Sequence, residues 1–269
     1  MDKTERIRKI RTGEPIEAFG LLFYPISMWH YEEYMACADT WKMRLSALPY
    51  PYCTMDYMNA MLAMDMDAAQ NQKGTNGYFA RVLKLFSLAT KTDGNELLQA
   101  DRISINRNGK IPLIEQMTVI QNGKSTTVTP GQFAAIRRIV AEQNGLELPD
   151  EADNADLAEQ PRLTTGDSRF KEKFNMDDMI SSVAYLSHVR DVEILDWTVR
   201  EFENRRRAID RDKHYMLYAS AELSGMVKFP DGNPAQSWLL DTIDTHKGTV
   251  PLSKIAQNMG IQNKKESKK

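Results

Sequence analysis

Cysteine is scarce in this sequence, since Cys37 and Cys53 are the only two among its 269 residues. Two cysteines are too few for the disulfide framework that stabilises small secreted domains. The sequence also lacks an apolar run long enough for a signal peptide or a membrane-spanning helix. These absences predict a protein of a reducing compartment, the cytoplasm, with no membrane partner.

Histidine is rare as well, and the four residues are widely separated: His30, His188, His214 and His246. No two of them have the spacing that places both on one face of a helical metal site. The acidic segment 150–159 lacks the Asp-x-Asp-x-Asp-Gly order of a calcium loop. No nucleophile is paired with a base by sequence spacing. We therefore predict a protein that is not an enzyme and that has no metal or cofactor.

Net charge is close to zero, because 35 lysine and arginine residues face 37 aspartate and glutamate residues, which gives −2. Such a balance provides no general attraction to nucleic acid or to an anionic membrane. The most basic internal point is Arg205–Arg207, and i,i+4 spacing predicts ion pairs there between Glu201 and Arg205, Glu203 and Arg207, and Arg206 and Asp210. Nucleic-acid binding is therefore not expected from this helix. Binding through the basic termini remains an alternative.

The piece Gly123-Lys124-Ser125 matches the end of a phosphate-binding loop. That motif also requires a glycine five residues before the second glycine, and the sequence has Thr118 there. The residues that follow are β-branched, which is typical of a strand rather than of a helix. We predict a hairpin turn at this point and no nucleotide.

Two Asn-Gly pairs, Asn108-Gly109 and Asn122-Gly123, each lie between short strand-like runs. Asn-Gly is typical of a tight type I′ hairpin turn, because both central residues need positive φ. After the second pair, Thr129 and Pro130 mark the start of a helix and Asn144-Gly145 its end. The apolar residues of this helix fall on one stripe: Phe133, Ile136, Ile139 and Val140.

Helical periodicity governs most of the remaining chain. Two short strands on either side of Phe19-Gly20 predict an N-terminal hairpin. Three helices are predicted next: one capped by Ser27, with Met28, Tyr31, Met35, Ala38, Lys42 and Leu45 on one face, one from Thr54 to Ala69, and one from Tyr78 to Thr90. A helix from Met176, a break near Arg190-Asp191 and a long helix from Glu193 to Leu223 follow.

These elements predict an α+β fold that is predominantly α-helical, with an N-terminal β-hairpin and helices, a central β-meander plus helix, and a C-terminal helical region. The predicted regions are a hairpin and helical cluster (1–95), the β-meander with its amphipathic helix (96–149), an acidic linker or long loop (150–175), a helical region (176–260) and a disordered tail (261–269).

Methionine is abundant, with 15 residues, and a run of them lies in the second predicted helix: Met55, Met58, Met61, Met64 and Met66. One interpretation is a helical core. The other is an adaptable surface for a partner helix, because thioether side chains repack easily. Composition alone does not separate the two.

Three stretches carry a resemblance to a known family: GEPIEAFGLLFYPISMWHYEEY near the start, TPGQFAAIRRIVAEQNGLELPDE in the middle, and DVEILDWTVREF in the C-terminal half. Together they resemble the tail-assembly chaperones that phages and prophages of Gram-positive bacteria encode beside the tape-measure gene. The resemblance implies a non-enzymatic helical chaperone of the bacterial host cytoplasm. It implies that the protein binds the tape-measure protein and recruits tail-tube protein subunits.

If that resemblance holds, amphipathic faces of this chain should bury a helix of the partner. The predicted partner-binding residues are Met58, Met61, Leu62, Phe79 and Phe86, together with Phe202, Ile209 and Tyr218. Self-association is a further expectation. A structural phage component that is retained in the virion remains the alternative, beside a nucleic-acid-binding protein that uses its basic termini.

Overall fold

The computed structural model describes residues 2–71, 77–92, 97, 103–106, 113–149 and 175–225. The helices of this part are α1 (Lys3–Thr12), α2 (Tyr31–Trp41), α3 (Tyr57–Gln70), α4 (Tyr78–Thr90), α5 (Pro130–Asn144), α6 (Met176–Ser187), α7 (Asp191–Leu195) and α8 (Val199–Leu223). The strands are β1 (Ile16–Ala18), β2 (Leu21–Phe23), β3 (Ile103–Asn106), β4 (Leu113–Gln121) and β5 (Lys124–Val128). The fold is α+β and predominantly helical, as predicted.

The described residues up to 210 belong to one compact unit, and residues 211–225 belong to a second. Within the first unit, the predicted regions 1–95 and 96–149 contribute side chains to the same hydrophobic core. The predicted linker, apart from its last residue, and the predicted tail lie outside the described residues, as do residues 226–260 of the predicted helical region.

The N-terminal hairpin has the form that the sequence predicts. Strands β1 and β2 pair antiparallel, and the turn between them places both Phe19 and Gly20 at positive φ, 53° and 76°. Ile16, Leu21 and Phe23 point into the core and are almost fully buried. The hairpin therefore covers the core with one face.

Side-chain amides attach this hairpin and the segment after it to the rest of the unit. The side-chain amide of Gln121 donates to Leu22 O (2.8 Å) and accepts from Leu22 N (2.8 Å). It therefore pairs with the β2 backbone as a neighbouring strand would. Gln143 donates to Phe23 O (2.9 Å). Asn144 accepts from Ile26 N at 2.8 Å. These bonds satisfy backbone groups that burial would otherwise leave without partners.

The first long helix differs in detail from its prediction. Ser27 makes no side-chain capping bond and precedes a 3-10 turn (Met28–His30). Helix α2 begins directly after this turn. Met35 is exposed, whereas the buried face also includes Tyr34, Cys37 and Trp41, which the predicted stripe omitted. Apolar and small residues occur on several faces of this helix, so periodicity alone did not identify the covered face.

Helices α3 and α4 are joined by a side-chain cap. Helix α3 begins at Tyr57 rather than at Thr54, and Asp65 on α3 accepts from Tyr78 N (3.1 Å) and Phe79 N (2.8 Å) at the start of α4. A carboxylate at this point satisfies free N–H groups and interacts favourably with the helix dipole. The predicted bounds of α4 are confirmed.

Strands β3, β4 and β5 form an antiparallel sheet in that order. At the β4–β5 turn Asn122 and Gly123 have φ of 52° and 76°, which confirms the predicted hairpin and leaves no phosphate-binding loop there. The other Asn-Gly pair lies outside the described residues. Thr129 and Gln132 form a reciprocal capping box at the start of α5.

Phe133 on α5 lies at the centre of the core. Its ring contacts Trp41, Tyr57 and Phe86, with centroid distances of 5.8, 6.3 and 6.0 Å. One turn later, Arg137 donates from Nε to Trp41 O (2.8 Å) and lies over the Tyr57 ring. Helices from both halves of the unit therefore meet at this aromatic cluster.

The predicted long helix from Glu193 is two helices, α7 and α8. Residues 196–198 interrupt it, because Met28 N donates to Trp197 O (2.9 Å) and Val199 N donates to Ile26 O (2.8 Å). Thr198 then caps α8 by accepting from Glu201 N at 3.1 Å. The interruption depends on pairing with a segment far away in sequence, so local helical propensity could not reveal it.

Candidate interaction site

The structure places most of the predicted partner-binding residues in the hydrophobic core. Met58, Met61, Phe86 and Phe202 are completely buried, and Phe79 is 8% exposed. The core interpretation of the methionine-rich helix therefore applies to these side chains. A partner could reach them only after this core had opened, because their surfaces already contact other residues of the chain.

The remaining three predicted residues are half-buried. Leu62 on α3 and Ile209 on α8 pack against the edge of the core. Tyr218, in the later part of α8, is partly exposed. For these residues a role in partner binding stays a prediction.

Large apolar side chains are exposed in the second half of α8. Met216 is 59% exposed, Leu217 65% and Leu223 89%. Met216 and Leu223 are about two helical turns apart, so they lie on the same face, and Leu217 is next to Met216. Periodicity did not distinguish these exposed residues from Val199 and Phe202, which are buried at the start of the same helix.

The basic triplet Arg205–Arg207 is engaged by neighbouring groups. Ion pairs link Arg205 to Glu201 (3.4 Å) and Arg206 to Asp210 (3.1 Å), as predicted. The predicted Glu203–Arg207 pair is wrong: Glu203 contacts Arg206 (2.9 Å), while Arg207 contacts Glu147 (3.4 Å). Tertiary neighbours of α8 decide these partners, which helical spacing alone could not show.

A cleft of about 490 Å³ lies between α2, the end of α5 and α8. In this cleft, the Tyr31 hydroxyl donates a hydrogen bond to Glu203 Oε1 at 2.7 Å. The ring centroids of Tyr31 and Phe202 are 5.9 Å apart. Burial raises the pKa of Tyr31, and the hydrogen bond to Glu203 adds to this effect. Burial likewise raises the pKa of Tyr34. Both phenols are therefore neutral hydrogen-bond donors near neutral pH, and neither is suited to act as a base.

The thiol of Cys37 is buried. Burial raises the pKa of the Cys37 thiol, which favours the unreactive protonated form. Across the ranges that the structure describes, no three histidine, cysteine, aspartate or glutamate side chains are arranged to hold a metal ion. In the same ranges, no helix combines the length and apolar character needed to cross a bilayer.

Comparison with known proteins found no relative: no protein-family model, no curated protein and no solved structure matches this chain.

Proposed function

We propose that this protein is a non-enzymatic tail-assembly chaperone of a phage or prophage, which binds the tape-measure protein and recruits tail-tube subunits in the host cytoplasm. The observation that carries the proposal is the exposed apolar face of α8, formed by Met216, Leu217 and Leu223. Large exposed apolar patches are typical of surfaces that bind other proteins. An amphipathic helix can bind a second helix through such a face.

The arrangement of the three family-like stretches supports the proposal. They are far apart in sequence but meet in the fold: Ile26 N donates to Asn144 Oδ1 at 2.8 Å, and Val199 N donates to Ile26 O at 2.8 Å. The Arg200 guanidinium donates to Glu142 O at 2.5 Å. The three stretches therefore contribute to one junction of the fold.

The test is co-expression of the tagged full-length protein with the proteins encoded beside it. Recovery of a long helical protein together with tube subunits is expected, in an eluate whose ultraviolet absorbance ratio shows no nucleic acid. Replacing Met216, Leu217 and Leu223 together by glutamate should reduce recovery at least about tenfold, since charges on a desolvated apolar contact are costly.

Tyr50 provides the matched control, because its side chain is 84% exposed and lies before α3. Tyr50→Glu should leave recovery unchanged. Unaltered capture by the triple variant, or capture of nucleic acid alone that salt removes, would refute the proposal. Recovery of this chain from finished particles by mass spectrometry would instead indicate a structural component of the virion.

A further inference from the structure

Further exposed apolar side chains lie on α6, on α7 and on the 3-10 turn that precedes α2. We call this group the α6–α7 corner and define it by Trp29, Tyr185 and Val192. Trp29 is 61% exposed, Tyr185 79% and Val192 52%. Two of these are aromatic, and tryptophan and tyrosine are enriched among the residues that contribute most to binding at protein interfaces.

Hydrogen bonds hold the parts of this corner together. Trp29 Nε1 donates to Asp196 Oδ1 at 3.1 Å, and Asp196 lies about one helical turn after Val192. Ser181 Oγ donates to Asp191 Oδ2 at 2.6 Å, and Tyr185 lies about one turn after Ser181 on α6. The exposed side chains therefore extend from connected helices.

The backbone beneath the corner is buried and paired. Ile194 of α7 and Met28, which precedes Trp29, are almost fully buried. Met28 N donates to Trp197 O at 2.9 Å. A surface on such a base requires little ordering when a partner binds, which favours affinity.

The corner carries the carboxylates of Asp191 and Asp196, and the guanidinium of Arg205 lies over the ring of Trp197, the residue after Asp196, at 4.4 Å from its centroid. Asp191 and Asp196 form no salt bridge to any residue that the structure describes, and they accept hydrogen bonds from Ser181 Oγ and Trp29 Nε1. The nearby cation Arg190 is paired with Glu193 at 2.7 Å. The rim therefore carries carboxylates whose charge is not neutralised by an ion pair within the described part of the chain.

We propose that the α6–α7 corner is a docking surface for a basic amphipathic helix, with its apolar residues on Trp29, Tyr185 and Val192 and its lysine or arginine residues facing Asp191 and Asp196. The inference rests on the proposed function, in which this helix belongs to the tape-measure protein. Complementary charge at the rim favours encounter and selects against acidic segments.

The first test uses two synthetic helical peptides of about 18 residues, long enough for several helical turns. Both have the same leucine positions, and one has lysine where the other has glutamate. Isothermal titration of the full chain should show the lysine peptide binding at least about tenfold more tightly. Equal binding of the two peptides would overturn the proposal.

Variants then locate the site. Trp29→Ala should weaken binding of the lysine peptide about tenfold or more, which is the effect expected for an aromatic anchor. Asp196→Asn removes the charge, whereas the amide oxygen can still accept the hydrogen bond from Trp29. This variant should therefore bind the lysine peptide more weakly and with a smaller dependence on salt. Tyr50→Ala and Asp39→Asn are the matched controls, with exposed side chains elsewhere. Circular dichroism and urea midpoints should match the wild type for every variant.

The outcomes separate this inference from the proposed function. If the wild type captures the tape-measure protein and Trp29→Ala captures it equally well, the corner inference is wrong and the function stands. If the wild type captures no tape-measure protein but binds the lysine peptide in a Trp29-dependent way, the surface is correct and the function is wrong. A Trp29-dependent dimer without peptide would overturn the inference in favour of a second copy.

Discussion

Replacing Asn144 by alanine tests how the N-terminal segment is attached to the core. Asn144 is 1% exposed, at the last turn of α5. Its Oδ1 accepts from Ile26 N at 2.8 Å, and its Nδ2 donates to Val140 O at 2.8 Å. In Asn144→Ala, the Ile26 N–H loses its acceptor while the surrounding residues stay buried.

The loss of stability follows from the Ile26 N–H that is left without an acceptor. A buried N–H without a partner destabilises a protein by about 1–3 kcal/mol. The Val140 carbonyl loses less, because it lies inside a helix and accepts a backbone bond from Asn144 N as well. We therefore expect the free energy of unfolding to fall by about 2 kcal/mol. For a chain of this size, that corresponds to a fall in Tm of about 4–8 °C.

Urea unfolding followed by circular dichroism measures this change. Asn204→Ala is the matched control, because Asn204 is an exposed asparagine within α8 and should change stability by less than about 0.5 kcal/mol. If Asn144→Ala unfolds at the same urea concentration as Asn204→Ala, the Asn144–Ile26 hydrogen bond does not stabilise the fold.

Three further predictions concern the core, a turn and the cleft. Phe133→Ala should lower the free energy of unfolding by about 3–5 kcal/mol, whereas an effect below about 1 kcal/mol would contradict a central position for this ring. In urea unfolding, Gly123→Ala should destabilise by about 1 kcal/mol because φ is +76°, while Gly131→Ala in α5, whose φ is not positive, should not. The raised pKa of Tyr31 predicts stability that is present below the ordinary tyrosine pKa of 10.0 and is lost as pH rises above it. Urea unfolding at about pH 8 and at about pH 10.5 measures this loss of stability, which should be smaller in Tyr31→Phe than in the wild type. An equal loss in both proteins would exclude Tyr31 as its source.

Local chemistry made several elements predictable from sequence. Asn122-Gly123 specifies its turn because both residues adopt positive φ readily. Thr129 and Pro130 specify the start of α5, since the cap requires only residues within one turn. The bounds of α4 and the α+β class follow from patterns of the same short range.

Burial of the candidate site was not predictable in the same way. Met58 and Phe202 lie on amphipathic helices, and the same pattern describes a face against a core and a face against a partner. Trp29 and Tyr185 were not selected because they lie outside the buried stripes of their segments. A large aromatic residue away from the apolar stripe of its predicted helix is the signal that would have indicated them.

The class of fold, the central hairpin and the limits of α4 and α5 were predictable from the amino-acid sequence, because turns, caps and periodicity act within about one or two helical turns. Tertiary packing decided which apolar faces are covered. It also decided the interruption between α7 and α8 and the partners of Glu203 and Arg207. These features depend on contacts between residues far apart in the chain, such as the hydrogen bond from Val199 N to Ile26 O. A local sequence pattern carries no information about which distant segment will pack against it.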